Sequence, residues 1–423
     1  MRTASGRWPI VTTMRLAVVA AVGVATVGVL GMAQAPASPA HGCSGGPTIS
    51  KQFFGKAMDI YVHKKLPVFR FTLANCDGMS VSILSYGGIV QSIDVPGANG
   101  KTADVVLGFA TLRDYVTEDS PPVTANGGPY FGETIGRYGN RIARGTFKLN
   151  GHTYTLPINN GVNDLHGGLV GFGNHVWAAS EVKSPGVAGV KLKLVSPNGD
   201  DGANVGCSCT GFPGKLTVFV TFTLNNDNQL GIHYIATTNA DTVINLTNHS
   251  YFNLAGESSG ATYGQKVMIN ANSYTPTNAT QIPTGQIVPV KGTPFDFTRP
   301  QTIGSRINVA NHQLLIAQGY DHNWVLNHTG PTMDGLRLAA QALDPASGRE
   351  LTVWTDQPGV QFYSGNFLTG KLVGISGHIY RQSAGYTFET QHFPNSPNQP
   401  NFPSTELKPG QVYNTTTVFQ FSS

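Results

Sequence analysis

From about Leu66 onward the chain repeats one pattern, in which short runs alternate apolar with polar or β-branched residues and are broken by Gly, Asn and Pro. Val68 to Leu73, Met79 to Leu84, Val190 to Val195 and Thr217 to Leu224 carry the period of two that gives a strand one buried face. Phe147 to Leu149 and His152 to Leu156 flank Asn150-Gly151, the residue pair best suited to a tight hairpin. A further strand pair brackets Asn225 to Asn228. Helical spacing is confined to one turn's worth of sequence around Ile307 to Ala317. With 51 Gly, 26 Pro and only 12% charged residues, against the roughly 25% charge usual in soluble domains, long charged helices and coiled coils are excluded. The fold class expected is all-β, a large antiparallel β-sandwich formed by residues 41–423 as one domain. The loosest segment is Ser196 to Gly214, rich in turn formers.

Arg2, Arg7 and Arg15 are the only charged residues among the first forty, and they precede an uncharged run from Leu16 to Met32 followed by the small residues Ala33-Gln34-Ala35 and Ser38-Pro39-Ala40. This is the form of a secretory signal peptide. Residues 1–40 are therefore expected to be removed on export, leaving a secreted protein with no stable membrane insertion. The formal charge of +4 falls to +1 once those arginines are set aside, so no nucleic-acid surface is indicated. Outside the cytoplasm an even number of cysteines implies disulfides. Among Cys43, Cys76, Cys207 and Cys209, the one-residue spacing of the last two favours bonds to Cys43 and Cys76 over a strained bond between neighbours.

Several polar clusters stand out from this β background. Asn140-Arg141 follows Gly136-Arg137-Tyr138-Gly139. His166 sits in Leu165-His166-Gly167-Gly168, where glycines let a backbone approach a ligand. In Asn245 to Leu254 a continuous strand would place Asn245, Thr247, His249 and Tyr251 on one face, poor core material but suited to a polyhydroxylated ligand. Asp321, Gln361 and Glu389 lie in Tyr320-Asp321-His322-Asn323, Pro358-Gly359-Val360-Gln361 and Phe388-Glu389-Thr390-Gln391. A carboxylate and imidazoles amid amides and Arg form a general acid–base set without a nucleophile. No GxSxG, P-loop or HExxH pattern occurs.

Read in order, these clusters resemble the aldose 1-epimerase (galactose mutarotase) family. The likeness runs from Tyr86-Gly87-Gly88 through GRYGNRIARG, LHGG, LTNHSYFNLAG, PTG, GTPFDF, YDHNWVL, PGVQFYSGNFL and FETQHFPNSPNQPNFP. It implies a sandwich of the galactose mutarotase type that interconverts the anomers of free aldohexoses such as glucose and galactose. By resemblance Glu389 is the general base, His249 the general acid and His166 a second catalytic histidine near the ring oxygen. Asn140, Arg141, Asp321 and Gln361 are substrate-binding residues, and neither a metal nor an organic cofactor is implied. Three departures are the expanded loop DDGANVGCSCTGFPG, Gly139 where the family commonly has Ala, and Asn395 in place of a common acidic residue.

Two other readings of the residues stand beside this one. A noncatalytic sugar-binding protein would have no need of a matched acid and base. A glycoside hydrolase normally uses two carboxylates, not a carboxylate with imidazole.

Overall fold

The computed structural model describes residues 45–119 and 128–423, and the segment read as a signal peptide lies outside them. The described residues from 45 onward form one compact unit. Strands dominate because the alternating runs pair with one another. The Asn150-Gly151 turn joins Thr146–Leu149 to His152–Thr155, and Leu216–Asn225 pairs with Gln229–Thr238 across Asn225 to Asn228. The helical spacing near Ile307 yields a single short helix, His312–Ala317, capped by the Asn311 side chain on Gln313 N–H. Among the described residues no helix is long and apolar enough to cross a membrane.

Three antiparallel sheets make up most of the molecule. Thr48–Asp59, Lys64–Ala74, Ser80–Leu84, Val90–Pro96 and Thr102–Asp104 form a meander in chain order. A large sheet runs through Ala178–Ser184, Val187–Ser196, Leu216–Asn225, Gln229–Thr238, Tyr413–Ser422, Glu350–Thr355, Leu336–Leu343, Lys266–Ile269 and Gln301–Thr302. A smaller sheet is ordered Tyr251–Phe252, Tyr386–Gln391, Gly359–Tyr363, Asp321–Leu326, Ala271–Thr275 and Val288–Pro289. The apolar faces of the large and smaller sheets meet in one core. Phe252, Val360, Phe362, Trp324, Tyr386 and Phe388 of the smaller sheet join Val353, Phe419 and Phe421 of the large one, with Phe252 edge-on to Phe419 at 5.1 Å between ring centroids.

The other face of the smaller sheet holds the site, and the alternation of three strands sets it. In Tyr386–Gln391 the core takes Tyr386 and Phe388, leaving Thr387, Glu389 and Gln391 opposite; in Gly359–Tyr363 it takes Val360 and Phe362, leaving Gln361 and Tyr363. In Asp321–Leu326 it takes His322 and Trp324, leaving Asp321 and Asn323. Register places Asn323 opposite Gln361 and Gln361 opposite Glu389. Three polar side chains thus lie in one row across adjacent strands.

Two expectations are corrected. Asn245 to Leu254 is not one strand. Thr247–Asn248 pairs with Thr134–Ile135, whereas Tyr251–Phe252 pairs with Thr387 and Tyr386 in the smaller sheet. The chain changes partner at His249-Ser250, so the polar residues leave the single face that strict alternation gives them. Cys207 and Cys209 bond to each other, their Cα atoms 5.1 Å apart, rather than reaching Cys43 or Cys76. The turn at Ala203–Val205 and the left-handed Gly206 (φ 77°) fold the loop back on itself. Cys76 sits elsewhere, its N–H on Asn226 Oδ1 at 3.3 Å, and is itself disulfide-bonded. Cys43 lies outside the described residues.

Candidate active site

The structure brings Glu389, His249 and His166 together. His249 Nε2 stands 3.5 Å from Glu389 Oε1, and the two imidazole rings meet edge to face with centroids 5.0 Å apart. All three side chains are buried. Glu389 Oε1 also accepts from Thr387 Oγ1 at 3.0 Å. Burial, reinforced by the nearby Asp321 carboxylate, pushes the Glu389 carboxyl up to about 8. Burial pulls the His249 imidazole down to about 3. The pair is therefore stable with one proton between its members at neutral pH, and that proton resides mainly on the carboxyl.

His166 is set differently. Its backbone is left-handed, at φ 56°, and its Nδ1 accepts the Asn140 N–H at 3.1 Å. Burial, with His249 and Arg141 close by, holds its pKa well below the usual histidine range. The neutral ring consequently carries its proton on Nε2, which makes it a hydrogen-bond donor. His166, His249 and Glu389 offer ligand atoms within 4.8 Å of one another, a spacing open to a metal ion. The occupied Nδ1 of His166 argues against ligation, because a protonated Nε2 has no lone pair to give.

Asn140 and Arg141, whose isolated sequence context fits surface residues equally well, are both buried. Asn140 takes a left-handed backbone (φ 65°), and its side-chain oxygen accepts the Arg141 N–H. Arg141 reaches Asp321 (Nη1 to Oδ2, 3.7 Å), while its Nε donates to Asn160 and its Nη2 to Gln281. Asp321 accepts from Gln281 Nε2 at 3.0 Å and from Gln361 Nε2 at 2.7 Å. The seven expected residues thus form one connected buried cluster, with Arg141 and Asp321 held as a pair.

Gln281, Asn160 and Tyr130 do not stand out in the sequence. Gln281 joins Arg141 to Asp321, and its only signal is its place just before the PTG motif. Tyr130 packs edge-on to His166, centroids 4.7 Å apart, and tilts over His249 at 5.8 Å; a lone Tyr in a Gly-Pro segment gives no signal. Asn395, one of the departures from the family pattern, is structural. Its side-chain oxygen accepts the Ala143 N–H at 3.0 Å, holding the chain just past Arg141. The expanded loop reaches the far side of the His166 turn, where the Asp201 carboxylate accepts the N–H groups of Leu169 and Val170.

What remains on the floor is unmet hydrogen-bonding capacity. Glu389 Oε2, Gln361 Oε1, His249 Nδ1 and both side-chain polar atoms of Asn323 and of Gln391 are buried and make no hydrogen bond among the described residues. Buried polar atoms are seldom left in this state. Here those of Glu389, Gln361, Asn323 and Gln391 lie on strands of the smaller sheet, beside the His249 imidazole.

A buried acid–base pair over a floor of amides, on an antiparallel sandwich, suits proton transfer on a polyhydroxylated ligand. The aldose 1-epimerase family model matches residues 70–420. Galactose mutarotase of Sus scrofa is 42% identical over 346 residues, covering 82% of this chain and 92% of its own. Aldose 1-epimerase of Escherichia coli strain K12 is 34% identical over 357 residues, covering 84% and 95%. Among solved structures, galactose 1-epimerase from Lactobacillus acidophilus NCFM superposes with a TM-score of 0.73 at 26% identity, covering 89% of this chain and 98% of its own. An aldose epimerase homologue from C. elegans gives 0.70 at 28% identity, covering 82% and 97%. The chain belongs to the aldose 1-epimerase family.

Proposed function

We propose that this protein is a mutarotase, an isomerase that interconverts the α and β anomers of free aldohexoses such as glucose and galactose. The observation that carries this reading is the His249–Glu389 pair, 3.5 Å apart and buried. Ring opening needs one proton removed from the anomeric hydroxyl and one delivered to the ring oxygen, and a pair holding a single exchangeable proton suits both.

The opening step starts from the minor form of the pair, in which its one proton has passed from Glu389 to His249; Glu389, now a carboxylate, takes the proton of the C1 hydroxyl, whose O–H electrons form the aldehyde C=O. The C1 to ring-oxygen bond breaks toward oxygen, which receives a proton from His249. His166, donating from Nε2, stabilises charge developing on that oxygen. After opening, the proton sits on Glu389 and His249 is neutral, the arrangement that burial favours. Rotation about C1–C2 presents the other carbonyl face, and closure runs the transfers in reverse. Arg141, Asp321, Gln361 and Asn140 bind hydroxyls away from C1, where charged partners give stronger hydrogen bonds than neutral ones. Asp321 is held in place by Arg141, Gln281 and Gln361, with lone pairs left over for a sugar hydroxyl.

The uncharged run from Leu16 to Met32 and the small residues after it support action outside the cytoplasm after export, which N-terminal sequencing of the mature protein tests. The catalytic reading is tested by following the optical rotation of freshly dissolved α-D-galactose and α-D-glucose. Acceleration over buffer is the expected result. Binding of galactose without acceleration would replace the epimerase by a noncatalytic sugar-binding protein.

A further inference from the structure

We infer that Asp201, on the expanded loop, is a positioning residue for His166. The inference rests on the role given to His166 above and extends it to a residue some distance along the chain.

His166 begins a run of three left-handed residues, at φ 56° for His166, 87° for Gly167 and 91° for Gly168. Such a run is unfavourable for a side-chain-bearing residue unless its surroundings hold it. On one side it is tied to the Asn140 strand by His166 N–H to Asn140 O at 3.2 Å and by Asn140 N–H to His166 Nδ1. From beneath, Asn159 Nδ2 donates to the carbonyls of Leu165 and Gly168 at 2.9 and 2.7 Å. The exit of the turn depends on Asp201. Its Oδ1 accepts from Leu169 N–H at 3.1 Å and from Val170 N–H at 3.2 Å. Its Oδ2 fills the space that a Cβ on Gly168 would take, so the carboxylate packs directly against the turn's last glycine.

Asp201 is almost fully buried and is held in turn by its loop. Its N–H donates to Asp200 Oδ1 at 3.0 Å, and its carbonyl lies 3.7 Å from Cys209 Sγ. The next residue, Gly202, accepts the Cys207 N–H at 3.2 Å. The Cys207 N–H to Gly202 O bond thus folds the segment after Asp201 back on itself, and the Cys207–Cys209 disulfide stiffens its far end. The expansion replaces a short connection with a braced one whose carboxylate reaches the back of the histidine turn.

Asp164 is the neighbour that sets the choice of conservative variant. It is fully buried, and neither carboxyl oxygen makes a hydrogen bond among the described residues. Its Oδ2 lies 3.0 Å from the same Gly168 Cβ position. An Asn at 201 keeps an oxygen for Leu169 and Val170 and turns its NH2 group toward Asp164. An Ala keeps neither.

The test compares Asp201→Ala, Asp201→Asn and the double variant Cys207→Ser/Cys209→Ser. Mutarotation of galactose is measured alongside the imidazole 15N–1H correlations of His166 in the sugar-free protein. Asp201→Ala is expected to lower kcat at least tenfold with KM changed less than twofold, and to replace the single Nε2–H signature of His166 with a mixture of tautomers. Asp201→Asn is expected to restore kcat to within threefold and the signature completely. If Asp201→Ala does not fold, the double Ser variant carries the test, with the same spectral change expected in weaker form. An unchanged His166 signature in Asp201→Ala or, failing that, in the double variant overturns the inference and leaves Asp201 a fold support. A wild type that does not accelerate mutarotation but whose His166 signature changes with Asp201→Ala sinks the epimerase reading and leaves the positioning intact.

Discussion

His249 Nε2 and Glu389 Oε1 face each other at 3.5 Å, and both side chains are buried. One residue comes from the point where a segment changes sheets, the other from the middle of an inner strand. Their separation is therefore fixed by two independent parts of the fold. Removing either member should abolish the proton exchange without emptying the pocket. Glu389→Gln and His249→Ala are each expected to lower kcat by about 10² to 10⁴ while KM stays within a few-fold, read by polarimetry. Near-wild-type kcat in either variant would remove that residue from the mechanism.

The pH dependence of kcat/KM follows from the same pair. With Glu389 at about 8 and His249 at about 3, the one-proton state spans the interval between these values. Activity should be level through neutrality and decline as the last proton leaves above about pH 8. A profile that rises steadily to pH 9 contradicts this assignment.

Stability should respond to Glu389 with a definite sign. Its folded pKa of about 8 lies above the ordinary value of 4.5, so between those two the folded state holds a proton that the unfolded chain has lost. Across that window the wild type loses stability as pH rises, by about 1.4 kcal/mol for each pH step of one. Glu389→Gln should therefore melt like the wild type near pH 4 and increasingly above it as the pH approaches 8. A constant difference in melting temperature across the range would show that the carboxyl is not neutral in the empty pocket.

Gln281 links the two charged partners of the binding wall, accepting from Arg141 at 2.6 Å and donating to Asp321 at 3.0 Å. Gln281→Ala should raise KM for galactose about fivefold, corresponding to one net hydrogen bond of about 1 kcal/mol, with kcat little changed. Combined with Asp321→Asn the effects should be markedly less than additive, because the two residues share one network. Strict additivity in a double-mutant cycle would show that Gln281 acts alone.

Arg141→Ala strands a buried carboxylate at Asp321. The expected cost is about 3–5 kcal/mol of stability, measurable by urea unfolding, besides the loss of sugar binding. Arg141→Ala/Asp321→Leu should recover much of the stability and none of the activity.

The period-two pattern conveys the strands and, through the alternation in Tyr386–Gln391 and Gly359–Tyr363, the face on which Glu389 and Gln361 lie. It does not convey where a segment changes sheets. That change depends on which neighbour offers unpaired backbone groups, and Asn245 to Leu254 reads as continuous because nothing local marks the break at His249-Ser250. Charged and ionisable residues in strand-like runs are legible as site residues, since burial of such groups needs a reason. Gln281 and Tyr130 are not, because amides and aromatics occur widely in loops and their roles arise only from what lies across the pocket. The bond between Cys207 and Cys209 is hidden for a similar reason. Spacing alone argues against it, and the fold of the surrounding loop decides it.

The strand Tyr413–Ser422 lies inside the large sheet, between Gln229–Thr238 and Glu350–Thr355, and is the last described strand to leave the ribosome. Its two neighbours stay unjoined until it is made, so a product truncated before Tyr413 has a cleft where its central seam should be. Completion of the large sheet thereby waits on Tyr413–Ser422. A chain stopped short would expose two edges to any quality-control protease.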